Sequence, residues 1–410
     1  MHIAIAAQYY WPEKVGAAIW LEQLATDLIA RGHRVTMLTG FPNYPDGKIF
    51  EGYRGKWFQR ESRDGVEIRR SFLFASEKQT FWHRALNFGS FCGSAFLNGL
   101  RAPKPDVLYA VLPPLPLGTA MEWASAIRGI PVVVNVQDIY PEIAVQLGYL
   151  KNRAAIRFFE RMERKIYGRA KAIVVISDGF RENLLGKGVD AGKLHVAPNW
   201  ADGTAIAPAL RENSFRKRLA LNGELCLIYS GNLSHNSSLE PLLAAARELR
   251  DGPYKFVFVG DGVHKRALES EAHQYGLENV QFLPFQPLEV YPEVLAASDL
   301  QVVSLHAAAG SLSLPSKVLK IMASGRPVLA IARAETELAR LVRSADCGVC
   351  VSPESHSELA ALLPALANDR ARLQQMGENG RKYFLDHFER NRCVGQIEQV
   401  LIAAACGHKE

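Results

Sequence analysis

The sequence predicts an α/β protein with two Rossmann-like domains that face each other across a cleft. Its 410 residues suit two cores of roughly 200 residues each better than a single core. Strand and helix patterns alternate along the chain, an order that implies right-handed crossovers and parallel sheets. The alternation stops in the polar, Pro-containing segment 198–213, which we interpret as a linker, and then begins again. We expect one domain at 1–205 and a second at 206–387, with a last helix, about 388–410, packing back on the first.

The composition is that of a soluble globular protein, with 48% hydrophobic and 22% charged residues. The six cysteines form no disulfide framework, which favours a reducing compartment. Cys347 and Cys350 form a Cys-x-x-Cys motif that suits a redox centre or half of a metal site. They lie in a strand-like run without a second pair, so we interpret both as small core residues. There is no signal peptide and no apolar run of about 18 residues, so we expect a cytosolic protein.

The first half of the chain has the pattern of a parallel sheet. Apolar runs predict strands at 2–7, 34–39, 57–60, 66–72, 106–111, 132–136, 172–175 and 193–197. Apolar residues three and four apart predict a helix over 16–31. Gly16 therefore lies at the carboxyl edge of the sheet, where doubly wound folds bind their ligands. The preceding loop lacks Gly-x-Gly-x-x-Gly, so we do not expect a dinucleotide cofactor.

Three features of this half bear on function. Loop 40–55, which contains Phe41-Pro42-Asn43-Tyr44-Pro45, has the length of a lid or an acceptor-binding loop. Segment 85–100 suits either an interfacial membrane helix or a helix that covers the sheet, and its shortness favours the second. Asp138 follows a predicted strand at the carboxyl edge, where it would meet a sugar or, equally well, cap the next helix.

The net charge of +6 comes from one segment. Between Lys151 and Lys171 there are eight basic and two acidic residues, a balance of 8 − 2 = +6. A helix there would place Arg157, Arg161, Arg164 and Lys165 on one face and Phe158, Met162 and Ile166 on another. The basic face suits contact with an anionic membrane, or it is simply solvated. No aromatic platform is interleaved with the charges, so we expect no nucleic acid partner.

The second half repeats the alternation. Strands are predicted at 226–230, 255–259, 300–305 and 328–331, and helices at 238–249 and 390–404. Segment Ser311–Pro327 predicts a loop and then a helix capped by Ser316 and stopped by Gly325. The amides at this helix start, with Lys317 in its first turn, would hold a phosphate or diphosphate. The alternative is an ordinary capped helix.

Several motifs together resemble a known family. They are Ala197-Pro198-Asn199-Trp200-Ala201-Asp202, Tyr229-Ser230-Gly231-Asn232, Val259-Gly260-Asp261-Gly262, and Pro315-Ser316-Lys317 leading into Met322-Ala323-Ser324-Gly325-Arg326-Pro327. In this order they resemble the family 4 retaining glycosyltransferases of GT-B fold, over nearly the whole chain. Segments Gln8–Glu13, Leu38–Pro45 and Val136–Glu142 resemble the branch that builds bacterial surface polysaccharides, which includes colanic-acid-type and L-fucosamine transferases.

The resemblance implies retaining transfer of a sugar from a nucleotide-diphosphate sugar, which we expect to be UDP-linked. The acceptor would be a saccharide on a lipid carrier at the cytoplasmic face of the inner membrane. The implied donor contacts are Gly16, Gly231, Asn232, Ser234, Gly260, Asp261, Leu314, Pro315, Ser316 and Lys317. The implied acceptor contacts are Tyr10, Asn43, Gln137 and Asp138, and Lys317 and Asp138 are the catalytic candidates. The sequence contains no Asp-x-Asp, so we expect no metal and no other cofactor.

Five positions depart from the family pattern. They are Asn232 and Ser237, in place of an arginine and a lysine, Leu312 and Lys320, in place of two glutamates, and Gln137, in place of a histidine. Lys317 and the amides of Leu314–Lys317 are then the main candidates for stabilising the leaving diphosphate. Two alternative functions stay open: a nucleotide-sugar epimerase, which shares the fold, and a non-catalytic relative, which the missing glutamates would fit.

Overall fold

The chain forms two compact α/β units. The computed structural model describes residues 1–78, 80–146, 148–234, 237–306 and 314–407, with Phe81 and His356 described by their backbone alone. Unit 1 comprises Met1–Asn199 and Asn391–Glu410, and unit 2 comprises Trp200–Arg390. Each unit has a sheet of its own.

The sheet of unit 1 is parallel except at one edge. Its strands are β1 (His2–Ala6), β2 (Arg34–Gly40), β3 (Phe58–Arg63), β4 (Val66–Ser71), β5 (Val107–Leu112), β6 (Val132–Val136), β7 (Ala172–Val175) and β8 (Leu194–Val196). Across the described residues their order is β3-β4-β2-β1-β5-β6-β7-β8, and only β3 runs antiparallel to its neighbour. Strands β5, β6 and β7 are buried along their whole length, as expected for parallel strands covered on both faces. The carboxyl ends of β1, β5 and β6 therefore share one edge of the sheet.

Helices cover both faces of this sheet. They are α1 (Gly16–Ala30), α2 (Phe81–Arg101), α3 (Leu115–Arg128), α4 (Glu142–Gln146), α5 (Arg153–Arg169) and α6 (Asp178–Gly186), and a 3-10 turn spans Ala191–Lys193. Helix α1 buries Leu21, Leu24 and Leu28, the stripe that a spacing of three and four residues produces. Helix α3 ends at Gly129, whose φ of 58° lies in the left-handed region that glycine adopts at little cost.

Helix α2 covers the sheet with its second half. There Asn98 Nδ2 donates a hydrogen bond to Arg70 O over 3.2 Å, and Phe91 is fully buried. The first half instead exposes Trp82 and Leu86, which are 73% and 56% accessible. The sheet-covering interpretation thus describes the second half of the helix and not the first.

Helix α5 carries the basic segment. The side chain of Asn152 caps it by accepting hydrogen bonds from two amides of its first turn. Ile166 is fully buried, but Phe158, expected on the same face, is 57% exposed, and that expectation is wrong. At 3.6 residues per turn, eight residues carry Phe158 about 80° around the helix from Ile166. An aromatic ring therefore lies on the exposed part of the helix that also carries the arginines.

The sheet of unit 2 is parallel throughout its described strands. These are β9 (Leu225–Ser230), β10 (Tyr254–Val259), β11 (Val280–Leu283), β12 (Leu300–Ser304), β13 (Val328–Ile331) and β14 (Gly348–Val351), in the order β11-β10-β9-β12-β13-β14. The helices are α7 (Ser214–Arg218), α8 (Glu240–Glu248), α9 (Lys265–Gln274), α10 (Tyr291–Ala296), α11 (Lys317–Ala323), α12 (Glu337–Ser344), α13 (His356–Asn368) and α14 (Arg370–His387). Because β10, β9 and β12 are adjacent, the loops that follow them meet at one edge.

The two cysteines of the Cys-x-x-Cys motif lie at β14. Cys347 is fully buried in the core of unit 2, and Cys350 is partly buried against the same core. Burial raises the pKa of the Cys347 thiol to about 12 and that of Cys350 to about 11. Both therefore stay protonated at neutral pH and act as small apolar side chains.

Segment 198–213 is not a free linker, contrary to the expectation from its composition. Unit 1 ends at Asn199, and Trp200 already belongs to unit 2, where it is 7% exposed. Ala201 and Ile206 pack into the core of unit 2, and Arg381 donates a hydrogen bond to Ile206 O over 3.2 Å. Proline and small polar residues give the segment the composition of a linker, although Trp200, Ala201 and Ile206 are buried and only its later part exposes a large apolar side chain, Leu210.

The final helix, α15 (Arg390–Cys406), returns to unit 1 from Asn391 onward. Its Glu398 accepts hydrogen bonds from Arg31 Nη1 over 2.6 Å and pairs with His33 Nε2 at 2.7 Å. Ile397 is fully buried. No helix in the described part of the chain has both the length and the apolar character that crossing a membrane requires.

Candidate functional site

Three loops of unit 2 meet at the carboxyl edge of its sheet. They follow β10, β9 and β12 and contain Gly260–Gly262, Gly231–Ser234 and Leu314–Ser316. Gly231 N donates a hydrogen bond to Val259 O over 2.9 Å, which ties the first two loops together. The sequence-predicted donor contacts of unit 2 are thus brought to one place.

Two glycines let these loops approach each other. A Cβ on Gly260, whose φ is +151°, would lie 1.9 Å from Gly231 O. Gly231 itself has a φ of +147°. The backbone of Gly231 and Gly260 is therefore not covered by side chains of its own at this edge. A phosphate can approach such a bare backbone closely.

Lys317 reaches this bare backbone. A Cβ on Gly231 would lie 2.7 Å from Lys317 Nζ, and the same ammonium is 4.1 Å from the ring centroid of Tyr229. The Tyr229 hydroxyl donates to Asn232 O over 2.8 Å, which fixes the ring. No acidic side chain among the described residues lies within 4.0 Å of Lys317. The ammonium of Lys317 is half-buried and is held by the aromatic face of Tyr229. Because no described carboxylate pairs with it, it can bind an anion.

Polar groups of the loops after β9 and β10 form hydrogen bonds within their own loops. Ser237 is 7% exposed, and its Oγ donates to Asn232 O over 3.1 Å and lies 3.2 Å from Ser234 Oγ. Asp261 Oδ1 accepts from Gly262 N over 2.8 Å. The Ser237 side chain and the Asn232 carbonyl therefore shape the loop, and neither residue supplies the positive charge that the resembled family carries at these positions.

Ser316 does not cap helix α11, so that prediction is wrong. The helix begins at Lys317, and Ser316 has φ −59° and ψ −20° with no capping hydrogen bond from its side chain. An N-cap serine normally has extended backbone angles, which point its hydroxyl back at the helix amides. Here a turn from Pro315 to Val318 sets the backbone instead. Leu312, one of the positions that depart from the family pattern, lies outside the described residues.

A cavity lies at the carboxyl edge of unit 1, and Asn43 is the predicted acceptor contact that lines it. Tyr9, Asn43 and Tyr44, from the loops after β1 and β2, line this cavity of about 460 Å³ together with Arg84 and Asn87 at the start of α2. The rings of Tyr9 and Tyr44 meet edge to face, with centroids 6.1 Å apart. Aromatic faces beside amide groups suit a sugar ring.

Tyr10 was predicted to contact the acceptor, but Tyr9 lines the cavity. Tyr10 is 2% exposed, and burial raises its pKa above the ordinary value. Burial also raises the pKa of Tyr9, to about 12, with a further increase from nearby Glu13. The sequence offers two adjacent tyrosines after β1, and only the backbone path decides which one faces the cavity.

Asp138 is half-buried and accepts no hydrogen bond from a described residue. Burial raises its pKa to about 6. It does not cap α4, which begins at Glu142, so the helix-cap alternative is not what the structure has. An unpaired carboxyl group that titrates near neutrality is available to a ligand hydroxyl.

Gln137 and Asn43 are fixed by hydrogen bonds to other residues of unit 1. Gln137 exchanges two hydrogen bonds with Asn199, of 3.1 and 2.7 Å. Asn43 Nδ2 donates to Phe41 O over 3.0 Å, and the Asn43 amide donates to Glu13 Oε1 over 2.9 Å. Both residues therefore fix the edge of the site, with less freedom to bind a ligand than the sequence suggested.

Three residues that the sequence did not single out belong to this site. Burial raises the pKa of Tyr140 and Tyr9, and the guanidinium of Arg84 opposes the increase at both. Glu13, buried, accepts from the amides of Asn43 and Tyr44, both over 2.9 Å. The signal for Glu13 was its place in the loop after β1, whereas nothing in the sequence linked Arg84 to that loop.

Gly16 begins α1 and is exposed, and nothing lies within 4 Å of the position that its Cβ would take. Within unit 1 no contact requires glycine there, so its donor role stays a prediction. Among the described residues no group of three or more histidine, cysteine, aspartate or glutamate side chains is arranged to hold a metal ion.

Comparison with known proteins identifies the family. Residues 15–200 match the glycosyl transferase 4-like domain, and residues 211–383 match glycosyl transferases group 1. A protein of Escherichia coli (strain K12) named as the colanic acid biosynthesis glycosyl transferase WcaI is 30% identical over 370 residues, covering 88% of this chain and 91% of the relative. The glycosyltransferase WbjE of Pseudomonas aeruginosa is 26% identical over 320 residues, covering 78% and 75%.

Solved structures agree on the fold. HepE from Anabaena, solved in complex with UDP, superimposes with a TM-score of 0.72 at 19% identity, covering 98% of this chain and 100% of that one. HepE has also been solved in complex with UDP-glucose, with a TM-score of 0.69. The chain therefore belongs to the family 4 glycosyltransferases of GT-B fold, in the branch of surface-polysaccharide synthesis. It is an enzyme that transfers sugars.

Proposed function

We propose that the protein transfers a sugar from a UDP-linked donor to a saccharide on a lipid carrier, with retention of configuration, in the synthesis of a bacterial polysaccharide. The observation that supports a nucleotide-diphosphate donor is the ammonium of Lys317, which lies beside the bare backbone of Gly231 and pairs with no described carboxylate. The complexes of HepE with UDP and UDP-glucose support a uridine donor. The name of the E. coli relative, a colanic acid biosynthesis glycosyl transferase, supports a role in polysaccharide synthesis.

In this proposal the reaction depends on stabilising the leaving diphosphate. Negative charge develops on its oxygen as the bond between the sugar and the diphosphate breaks, and Lys317 with the backbone N–H groups of Leu314, Ser316 and Lys317 would oppose that charge. The acceptor hydroxyl attacks from the face that the phosphate leaves, and a phosphate oxygen accepts its proton. Asp138 then orients the acceptor by accepting a hydrogen bond and is not an obligatory base. No step in this scheme needs a metal ion.

We also propose that α5 holds the enzyme at an anionic membrane. Arg157, Arg161, Arg164 and Lys165 are exposed along the helix, and the exposed ring of Phe158 lies among them. A basic residue close to an anionic surface contributes about 1 kcal/mol, so four give weak, salt-sensitive attachment. The alternative is a solvated helix whose charges only keep the protein in solution.

Thermal unfolding with nucleoside diphosphates tests the donor half. A ligand that binds only the folded state raises the melting temperature by mass action. We expect UDP to stabilise the protein more than ADP or GDP does. An absence of stabilisation by any nucleoside diphosphate would contradict the proposal. Slow hydrolysis of a UDP-sugar without acceptor would exclude the non-catalytic alternative, and conversion of the free UDP-sugar to its epimer would favour the epimerase.

A further inference from the structure

Two adjoining cavities of unit 1 carry cations that the donor chemistry does not use. The inner cavity is the one of about 460 Å³ described above, and the outer cavity measures about 840 Å³. They share Gly47, Ser76, Lys78 and His83, so they form one continuous groove. The loop after β2 and the segment before α2 build both walls.

The inner cavity is built for a sugar ring. Tyr9, Tyr44 and Phe88 supply aromatic faces, and Asn87 supplies an amide. That amide is fixed, because Asn87 Oδ1 accepts from Gln8 Nε2 over 2.6 Å and Asn87 Nδ2 donates to Phe74 O over 2.8 Å. A rigid amide between aromatic faces recognises hydroxyl groups with little loss of conformational entropy.

The outer cavity is built for a more highly charged group. Lys48, Arg54 and Lys78 line it with one acidic residue, Glu77, a balance of 3 − 1 = +2. Lys48 pairs with Glu77 at 3.1 Å, and Arg54 Nε donates to Ile49 O over 3.1 Å. Lys78 has no acidic partner within 4.0 Å among the described residues. The Lys78 ammonium and the remaining guanidinium donors of Arg54 are therefore available to an anion.

The order of the two cavities gives the ligand a direction. Asp138 follows β6, and the inner cavity takes Tyr9 from the loop after β1, whereas the outer cavity is lined by residues that follow β2 and β4, which lie farther from β6 in the strand order. The inner cavity is thus the end nearer to Asp138, and the lysines lie at the other end. A sugar at the inner end would have its anionic group pointing away from the reacting centre.

We propose that this groove binds the acceptor as a glycosyl diphosphate, with the sugar in the inner cavity and the diphosphate held by Lys78 and Arg54 in the outer one. The inference rests on the proposed function, since it assigns the acceptor's carrier linkage to named residues. The lipid chain then leaves from the outer rim. A phospholipid headgroup offers the same phosphate chemistry, and the experiment below separates the two sources.

The test measures binding of inorganic diphosphate and of geranyl diphosphate to the full chain carrying Lys317→Ala, so that the donor site contributes little. We expect the added pair Arg54→Gln and Lys78→Gln to weaken both dissociation constants by at least tenfold. The control pair Arg60→Gln and Lys104→Gln removes the same charge from exposed positions of unit 1 outside the groove and should change them less than twofold. Equal binding by the two pairs would overturn the proposal.

Vesicles of anionic phospholipid distinguish the sources of phosphate. We expect the groove pair (Arg54→Gln with Lys78→Gln) and the control pair (Arg60→Gln with Lys104→Gln) to sediment equally with these vesicles. A loss of sedimentation in the groove pair alone would assign the groove to a lipid headgroup and overturn the proposal. Stabilisation by UDP should persist in the groove pair when Lys317 is intact. If UDP stabilises the protein but the groove pair binds diphosphate normally, the inference fails while the donor assignment stands.

Discussion

Lys317 is the residue on which the donor chemistry depends most. Replacing Lys317 with alanine removes the ammonium group that lies beside Gly231. Loss of one preorganised partner of a developing oxyanion lowers turnover by on the order of a hundredfold or more. We expect that loss in steady-state transfer assays, with the melting temperature of the free protein nearly unchanged.

Lys255→Ala is the matched control for this variant. Lys255 lies in β10 near its amino end, at the opposite edge of the sheet, where its ammonium donates to Glu278 O over 3.0 Å. Its loss removes the same charge from unit 2 without touching the loops. Near-normal turnover of Lys317→Ala, or equal losses in both variants, would count against the diphosphate role.

Asp138 should couple activity and stability to pH in opposite directions. Its pKa is raised by burial from 3.8 to about 6, so the folded protein binds more protons than the unfolded chain between those values. The free energy of unfolding therefore falls as the pH rises from about 4 to about 6, because the folded protein must then ionise a buried carboxyl group. Above about pH 6 this destabilisation is fully present. Because the Asp138 carboxyl group is partly exposed, we discount this destabilisation to on the order of 1–2 kcal/mol.

Asp138→Asn tests this coupling. We expect the variant to melt at a higher temperature than wild type at pH 7.5 and at the same temperature at pH 4. Its transfer rate should fall about ten- to hundredfold, as expected for a lost hydrogen bond to a charged group. In the wild type, activity should decline as the pH falls through about 6, and the variant should lack that decline. A variant no more stable than wild type at pH 7.5 would contradict the buried, unpaired carboxylate.

Among the elements, the loops of unit 2 depend on Gly260. Gly260→Ala places a Cβ 1.9 Å from Gly231 O, so one of the two loops must move. We expect a loss of about 2–4 kcal/mol in unfolding free energy and a loss of stabilisation by UDP. Gly276→Ala has a positive φ of 62° but nothing within 4 Å, so it reports backbone strain alone, about 1 kcal/mol. Similar losses of unfolding free energy in the two variants would show that the close contact with Gly231 adds nothing to the backbone strain.

Helix α5 gives a prediction about the membrane. Replacing Arg157, Arg161, Arg164 and Lys165 by glutamine should abolish sedimentation with anionic vesicles at low salt, and wild-type binding should weaken with added salt. A control variant with glutamine at four exposed basic positions of unit 2 removes equal charge: Lys217, Arg250, Arg266 and Lys382. If both variants lose binding equally, net charge and not the helix is responsible, and binding that is indifferent to salt contradicts the proposal.

The elements were easier to predict than the residues at their ends. Buried parallel strands such as β6 are apolar at every position, so their sequences alone reveal them. The state of Ser316 depends on a turn that Pro315 imposes, and the choice between Tyr9 and Tyr10 depends on the path of a loop. Arg84 comes from the start of α2, whereas Tyr9 and Tyr44 of the same cavity come from the loops after β1 and β2, and no local pattern encodes such a meeting.

At the scale of the whole molecule, the family was predictable because its motifs recur in a fixed order along the chain. Unit 1 ends at Asn199, and the segment of linker-like composition that follows contributes buried side chains such as Trp200 and Ile206 to unit 2. The cations of the groove in unit 1 were not predicted, because Lys48, Arg54 and Lys78 lie outside the segments that resemble the family.

Metal dependence is a property of the complete reaction, and we predict that there is none. Transfer by the full-length enzyme should be unchanged after treatment with EDTA, since the proposed charge partners of the diphosphate are Lys317 and backbone amides. Assays with EDTA, followed by added magnesium or manganese, check this. Activity that disappears and is restored by either metal in a single-turnover measurement, where product release does not contribute, would contradict the prediction.

The return of α15 to unit 1 has a consequence for biosynthesis. Unit 1 takes its last helix from residues that follow all of unit 2 in the chain, and Glu398 of that helix pairs with Arg31 and His33 near the start. While the ribosome is still translating unit 2, the nascent unit 1 lacks this helix and leaves uncovered the apolar surface on which Ile397 is later buried. Unit 2 is contiguous and can fold as soon as it emerges, so the half of the enzyme synthesised first is the half completed last.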